Sequence, residues 1–118
     1  MTDITLKGKI AIVTGGASPI GLGKAMAIAM VKAGARVSII DINEEWLETT
    51  GDYIRNIAGK ENIVTQFCDI SDFHSARTAV ANTIDIFGGL DILVNNAGIM
   101  GTNVENKYSR TNFWDVSI

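Results

Sequence analysis

The chain has 118 residues, of which 47% are hydrophobic and 19% are charged, and its net charge is −3 at pH 7. This length suits one small domain with a buried core, and the composition excludes an intrinsically disordered chain. The negative charge argues against non-specific nucleic-acid binding. The N-terminus is polar, no apolar stretch reaches the roughly 20 residues of a membrane span, and a single cysteine, Cys68, suits a reducing compartment. We therefore expect a cytoplasmic protein without a membrane or nucleic-acid partner.

The first third of the chain predicts a strand–helix–strand unit. A continuous apolar run at 10–13 is typical of a parallel strand buried on both faces. A glycine-rich loop over 14–23, a helix over 24–33 and a strand over 36–40 follow, and Asp41 stands at the tip of that strand. Glycines in such a loop let the backbone approach a pyrophosphate, and the helix start offers free N–H groups. An acid at the next strand tip can accept both ribose hydroxyls of an adenosine.

The next segment repeats the alternation. Asn43 is a suitable N-cap for a helix over 44–58, and two glutamates in the first turn suit the helix dipole. Gly51, in the middle of this helix, is a weak point in terms of helix propensity. A strand over 63–68 follows.

A third helix is predicted to begin after Ser71 or Asp72 and to end at two glycines. A strand over 90–94, a loop over 98–110 and a last helix from Thr111 follow. The helical spacing predicts an inward-facing stripe on the third helix, made of Phe73, Ala76, Val80, Ile84 and Phe87.

Strands and helices that alternate throughout predict an α/β protein with a doubly wound parallel sheet, of the Rossmann type, in three α/β/α layers. Ligands of such sheets bind outside the carboxyl ends of the strands. That edge collects the glycine loop, Asp41, residues 69–70 and residues 95–98.

At these residues the chain resembles the short-chain dehydrogenase/reductase family. The resemblance covers essentially all 118 residues, and four motifs in this order and at this spacing are specific where a lone glycine loop is not. These motifs are Thr14-Gly15 with the later glycines, Asp41, Cys68-Asp69-Ile70 and Asn95-Asn96-Ala97-Gly98.

The glycine loop departs from the common family pattern TGxxxGxG. Without a gap, the second glycine of the pattern falls on Pro19, which has no N–H to offer a phosphate. Placing the last two glycines at Gly21 and Gly23 makes the loop two residues longer. It also keeps Gly34 and Asp41 in step with other family members.

The resemblance implies that residues 1–118 are an NAD-binding domain, the N-terminal part of a single-domain enzyme that is incomplete beyond the fourth strand. Asp41 is expected to bind the adenosine ribose and to repel a 2′-phosphate. No arginine comes directly after Asp41 and none lies in the glycine loop, so NAD is the expected cofactor rather than NADP. Asp69 is expected at the adenine amino group with Ile70 against the ring, and residues 95–98 at the nicotinamide-side ribose. The implied cofactor-binding residues are Gly15, Ser18, Ile20, Gly21, Leu22, Gly23, Asp41, Asp69, Ile70, Asn95, Asn96, Ala97 and Gly98.

The resemblance also implies a reaction that this chain does not complete. Family members use a Ser, a Tyr and a Lys, the last two in a Tyr-x-x-x-Lys pattern. Tyr53 is followed four positions later by Ile57, and Tyr108 by Asn112, so neither fits and no catalytic residue is assigned. The implied function is an NAD-dependent oxidoreductase that transfers a hydride between nicotinamide and the alcohol or carbonyl group of a small-molecule substrate. This chain supplies its cofactor half and is expected to be inactive alone, and the family's usual dimers and tetramers imply a homo-oligomer.

Other interpretations of the same residues stay open. The chain can be a non-catalytic dinucleotide-binding module or a truncated pseudoenzyme. A methyltransferase also has a glycine loop and an acid after its second strand, although the Asn-Asn-Ala-Gly run argues against it. Asp41 and Asp69 can each be an ordinary acid ahead of a helix, and Asn95 and Asn96 can satisfy backbone groups at a strand end.

Overall fold

Strands and helices alternate along the chain, as the sequence predicts. The computed structural model describes residues 5–97. The loop predicted over 98–110, the helix predicted from Thr111 and the proposed site residue Gly98 lie outside this range. The elements are β1 (Ile10–Thr14), α1 (Leu22–Lys32), β2 (Arg36–Asp41), α2 (Glu44–Ala58), β3 (Ile63–Phe67), α3 (Phe73–Phe87) and β4 (Ile92–Val94), with a 3-10 turn at Lys60–Asn62.

The four strands form one parallel sheet in the order β3-β2-β1-β4. The central strand β1 is buried along its whole length, and its residue Val13 pairs with Ile39 on one side and Val94 on the other. The chain winds outwards from β1 to β3 and then crosses back to place β4 on the other side of β1. This reversal puts a topological switch point between β1 and β4, where ligands of such sheets bind.

The helices cover both faces of the sheet. Ala11 and Val13 of β1 face α1 and α2, whereas Ile12 of β1 and Ile40 of β2 face Ala79 of α3. This alternation follows from the two-residue period of a strand. The predicted three-layer, doubly wound fold is therefore confirmed. Within residues 5–97, no helix has the length and apolar character needed to cross a bilayer.

Element boundaries differ little from the predictions. Helix α2 has the predicted bounds, and the side chain of Asn43 caps it by accepting a hydrogen bond from the N–H of Trp46 at 2.9 Å. Helix α1 begins two residues earlier than predicted, at Leu22, so Gly23 lies in its first turn rather than in the loop. The reason is that Gly21 is still extended (φ −85°, ψ 156°) and serves as the N-cap itself.

The predicted inner stripe of α3 is largely wrong. Phe73 is 72% exposed, and Val80 and Ile84 are 38% and 44% exposed. The helix instead turns a line of smaller and partly polar residues towards the sheet. Its buried positions are Ala79, Thr83 and Phe87.

A buried polar cluster accounts for this orientation of α3. The side-chain amide of Gln66 in β3 donates to the hydroxyl of Ser38 at 2.8 Å and to that of Thr83 at 3.0 Å. Ser38 and Thr83 are both fully buried. Because buried hydroxyls and amides need hydrogen-bond partners, the face of α3 that carries Thr83 packs against the sheet in place of the more apolar face.

Gly51 marks a close approach between α2 and β3. A Cβ at this position would lie 2.9 Å from the Cγ2 atom of Thr65 and 3.0 Å from Nη1 of Arg55. The low helix propensity of Gly51, noted from sequence, is therefore offset by the close packing that it permits.

We expect Gly51→Ala to lower the free energy of unfolding by about 1–3 kcal/mol, because forcing a methyl group into a packed contact outweighs the gain in helix propensity of about 1 kcal/mol. Urea unfolding measures the change. Asn56→Ala, at an exposed position of the same helix, is the control and should leave stability unchanged or slightly raised. A Gly51→Ala variant at least as stable as the parent would contradict the close-approach interpretation.

Candidate functional site

The carboxyl ends of the four strands meet along one edge of the sheet, and the predicted site residues within the described range follow those ends. Residues 69–70 follow β3, Asp41 ends β2, the glycine loop follows β1, and residues 95–97 follow β4. The strand order places these segments side by side across the edge. Segments that are far apart in the chain therefore form one candidate site.

Two glycines let three of these segments come into contact. Gly15 has a φ of +64°, and a Cβ there would lie 2.9 Å from the Cα atom of Ala97. A Cβ on Gly23 would lie 2.5 Å from Nδ2 of Asn96 and 2.7 Å from the carbonyl oxygen of Gly15. No side chain fits at either position. This close packing at the start of α1 supports the assignment of Gly23 as the last glycine of the loop pattern.

Thr14 joins the ends of β1 and β4, a role that the sequence analysis missed. Its hydroxyl donates to the carbonyl oxygen of Val94 at 3.3 Å and accepts from the N–H groups of Asn96 at 2.9 Å and Ala97 at 3.0 Å. The side-chain amide of Asn96 also donates to the carbonyl of Gly15 at 3.1 Å. Asn96 and Ala97 therefore hold the strand end in place. The sequence does carry a signal for this role, because Thr14 is the first residue of the Thr-Gly motif. Only Gly15 of that motif is among the site residues predicted from the sequence.

The two extra residues of the loop lie in a tight turn. The N–H of Gly21 donates to the carbonyl of Ser18 at 3.1 Å, so Pro19 and Ile20 are the central residues of a β-turn. Proline suits the second position of such a turn because its φ is fixed. Ile20 is 95% exposed at the tip. The N–H of Gly21 is therefore used within the turn.

The carboxylate of Asp41 connects β2 to the glycine loop and to α2. Its Oδ2 atom accepts from the N–H of Ala17 at 3.2 Å, and its Oδ1 atom accepts from the N–H of Asn43 at 3.1 Å. A carboxylate has about four acceptor positions, so about two remain for a ligand. The side chain is half-buried at the strand tip. Asp41 can therefore accept two hydroxyl groups while it holds the backbone on either side.

The cation that follows the glycine loop and the cation that begins β2 each lie against an aromatic ring. The ammonium group of Lys24 lies 4.6 Å from the ring centre of Tyr53, and the guanidinium of Arg36 lies 5.3 Å from that of Phe87. The ion pair found in residues 5–97 is internal to α2 and does not involve Asp41. Within the described part of the chain, the tip of β2 is thus an acidic site without a paired cation.

Asp69 is fixed by its neighbours in the turn that precedes α3. Its Oδ1 atom accepts from the hydroxyl of Ser71 at 2.6 Å and from the N–H of Ser71 at 3.0 Å. The hydroxyl bond, followed by the backbone bond, lowers the pKa of Asp69 below its ordinary value of 3.8. The N-cap of α3 is Asp72, whose carboxylate accepts from the N–H of His74. Asp69 is therefore not the capping acid of this helix, and Ile70 beside it is 45% exposed.

A second residue that the sequence analysis missed is Thr50 of α2. It is 1% exposed, and its hydroxyl donates to the carbonyl oxygen of Ala17 at 2.7 Å. The two residues are 33 positions apart, so nothing in the local sequence pattern signals the contact.

The chain is similar to known dehydrogenases over most of its length. A family model described as short chain dehydrogenase matches residues 9–118. "Uncharacterized oxidoreductase YhdF" of Bacillus subtilis is 45% identical over 78% of this chain and 31% of the relative. Secoisolariciresinol dehydrogenase of Forsythia intermedia is 37% identical over 83% of this chain and 33% of the relative. The chain thus spans about a third of the length of these curated relatives.

The fold of the chain is also similar to that of solved short chain dehydrogenases. A short chain dehydrogenase from Mycobacterium smegmatis superposes with a TM-score of 0.76 at 32% identity, covering 83% of this chain and 40% of that chain. A short chain dehydrogenase/reductase from Burkholderia phymatum in complex with NAD superposes with a TM-score of 0.74 at 27% identity, covering 84% of this chain and 33% of that chain.

We expect Gly23→Ala to lower the free energy of unfolding by about 2–3 kcal/mol, because the added methyl overlaps with backbone at Gly15 and displaces Asn96. Gly89→Ala is a matched control, since a Cβ there would lie 3.8 Å from Cδ1 of Ile10, an ordinary contact, and should change stability by less than about 1 kcal/mol. Urea unfolding compares the two. Equal effects of the two substitutions would show that the close packing at the loop is not critical.

We expect Ser71→Ala to raise the pKa of Asp69 towards its ordinary value of 3.8, because the hydroxyl donor is lost. Since the folded pKa is lowered, ionised Asp69 stabilises the fold above pH 3.8, and this contribution disappears as the pH falls through the folded pKa. The variant should therefore lose less stability on acidification. An NMR titration of the Asp69 carboxyl group measures the shift.

The control for this titration is Ser75→Ala. The Ser75 hydroxyl accepts from the N–H of Asp69 at 3.1 Å and makes no hydrogen bond to the carboxylate. It should leave the Asp69 pKa unchanged. An Asp69 pKa that stays the same in Ser71→Ala would rule out the hydroxyl as the cause.

Proposed function

The chain belongs to the short-chain dehydrogenase/reductase family, and on this premise we propose that it is the NAD-binding part of an oxidoreductase. The proposed reaction transfers a hydride between the nicotinamide and an alcohol or carbonyl carbon of a small-molecule substrate. The observation that carries the proposal is the position of Asp41. It ends the strand next to the glycine loop and is bonded to two backbone N–H groups, with acceptor positions to spare.

The glycine loop and the start of α1 suit a pyrophosphate. Gly15 and Gly23 leave no room for side chains of their own, so the loop and the start of α1 pack directly against Asn96 and Ala97. Helix α1 has no acidic residue in its first turn, and its N-terminal dipole is therefore not offset by a neighbouring carboxylate. An anionic group is favoured at such a helix start. The residues present thus fit the phosphates of a dinucleotide.

The charge at the tip of β2 favours NAD over NADP. Asp41 can accept the 2′- and 3′-hydroxyls of the adenosine ribose with its remaining acceptor positions. A 2′-phosphate placed there would meet the carboxylate, and Lys24 and Arg36 both lie against aromatic rings instead. That the Burkholderia phymatum neighbour was solved with NAD is consistent with this preference.

The remaining proposed contacts follow the sheet edge. Asp69 and Ile70 are proposed to bind the adenine, the first through its carboxylate and the second against the ring, and both are exposed beyond the end of β3. Asn95, Asn96 and Ala97 are proposed to border the nicotinamide-side ribose. Asn96 is already bonded to Gly15, so it contributes to this border mainly by shaping it.

The proposed reaction also needs a general acid or base, and none of the 118 residues is assigned to that role. A nicotinamide held at this edge would supply the hydride chemistry, and a general acid or base would have to take up or release the hydroxyl proton of the substrate. Neither Tyr53 nor Tyr108 is followed by a lysine four positions on. We therefore propose that the 118 residues bind and orient the cofactor but do not turn over substrate alone. The enzyme names of the curated relatives favour an oxidoreductase over a purely non-catalytic module. A homo-oligomer is part of the proposal and rests on the family resemblance alone.

We expect the protein to bind NADH at least about tenfold more tightly than NADPH, which corresponds to about 1.4 kcal/mol. Asp41→Ser should bring the two affinities within about threefold, because it removes the charge that opposes a 2′-phosphate. Parallel fluorescence titrations at low ionic strength, where charge effects are least screened, measure both affinities.

The control is Asp52→Ser, which changes the net charge equally but lies in α2, where Asp52 pairs with Arg55. It should keep the preference for NADH. Equal affinities for NADH and NADPH in the parent protein would refute the role of Asp41, and the absence of binding to either would refute the proposed function.

A further inference from the structure

The peptide groups around Ala17 are held on both sides. Ala17 is fully buried in the glycine loop, and its N–H donates to Oδ2 of Asp41 at 3.2 Å. Its carbonyl oxygen accepts from the hydroxyl of Thr50 at 2.7 Å. The shorter of these two hydrogen bonds is the one from Thr50, which is itself 1% exposed. The backbone orientation at Ala17 is therefore set by Asp41 on one side and by α2 on the other.

We propose that Thr50 is a positioning residue for the adenosine-ribose end of the cofactor site. This inference rests on the proposed function. Thr50 does not touch the cofactor in this proposal. Its hydroxyl fixes the Ala17 backbone, the N–H of Ala17 orients one oxygen of Asp41, and the N–H of Asn43 orients the other. The two acceptor positions left on Asp41 then point in a fixed direction.

The behaviour of the hydroxyl separates Thr50 from an ordinary buried threonine. A threonine inside a helix commonly donates back to the carbonyl four residues earlier. Thr83 does this in α3, where its hydroxyl donates to the carbonyl of Ala79 at 2.8 Å. Thr50, buried to the same degree, donates instead to a loop in another part of the chain. Its acceptor belongs to the residue that binds Asp41, which places the contact one residue from the proposed ribose site.

Helix α2 is well placed to transmit this restraint. Its N-cap Asn43 contacts Asp41 through its backbone N–H, and Thr50 reaches the loop almost two turns later. Gly51, the next residue, lets α2 approach β3 closely, since a Cβ there would lie 2.9 Å from the Thr65 side chain. The helix therefore holds the loop and the acid at two separate points.

The test compares Thr50→Val and Thr50→Ser with the parent protein, using NADH and ADP-ribose as probes in calorimetric titrations. Thr50→Val keeps the shape of the side chain but leaves the buried carbonyl of Ala17 without its donor. We expect this substitution to lower the affinity for each nucleotide by about tenfold. Thr50→Ser keeps the hydroxyl and should restore both affinities to within about twofold of the parent.

Thr83→Val is the matched control for loss of stability. It also removes a fully buried helix hydroxyl, but on the other face of the sheet. It should lower the midpoint of thermal unfolding and leave both affinities within about twofold of the parent. Parent-like binding by Thr50→Val, or equal weakening by Thr50→Val and Thr83→Val, would overturn the positioning role.

A second measurement separates this inference from the proposed function. If the parent protein binds neither nucleotide, the proposed function fails, and amide hydrogen exchange at Ala17 then tests Thr50 directly. Thr50→Val should speed exchange of the Ala17 N–H by about tenfold, and Thr50→Ser should reverse this change. Unchanged exchange in Thr50→Val would show that the hydroxyl does not hold the loop.

Discussion

The candidate site depends on backbone contacts at Gly15 and Gly23 that exclude side chains. At both positions a Cβ would overlap with the residues after β4 or with the loop itself, at distances of 2.9 and 2.5 Å from the nearest atoms. Glycine at these two positions lets the end of β1, the start of α1 and the residues after β4 meet at one point. That meeting point coincides with the switch in strand order between β1 and β4. The location of the site and the path of the loop are thus consequences of the same contact.

Polar bonds hold this edge of the sheet together where strand pairing stops. Strand β4 is three residues long, so the N–H groups of Asn96 and Ala97 lie beyond its ladder and need other acceptors. The hydroxyl of Thr14 accepts from both. At the next strand, Asp41 performs the same task for Ala17 and Asn43. Side chains therefore supply the acceptors at this edge that a longer ladder would otherwise have supplied.

The sequence predicted the fold well because each of its signals was local. The apolar run of β1, the cap at Asn43 and the glycine at the end of α3 act over a few residues, and the structure has them as predicted. The orientation of α3 was not predictable in this way, because it depends on Gln66 meeting Ser38 and Thr83 across two strands and a helix. The candidate site shows the same division. Glycines and acids at strand ends were identified from sequence, whereas the contact of Thr50 with Ala17 spans 33 positions and leaves no local pattern.

Asp41 combines a structural role with the proposed cofactor selectivity, and this limits how the site can change. Its two backbone bonds would stabilise the loop whether or not a nucleotide binds, because they satisfy the N–H of the buried residue Ala17 and that of Asn43. A substitution that removes the negative charge also removes at least one of these acceptors. Conversion of such a site to NADP therefore requires more than a neutral residue at the tip of β2. A replacement must still accept from Ala17, and a cation must come from a position that is not, like Lys24, already placed over an aromatic ring.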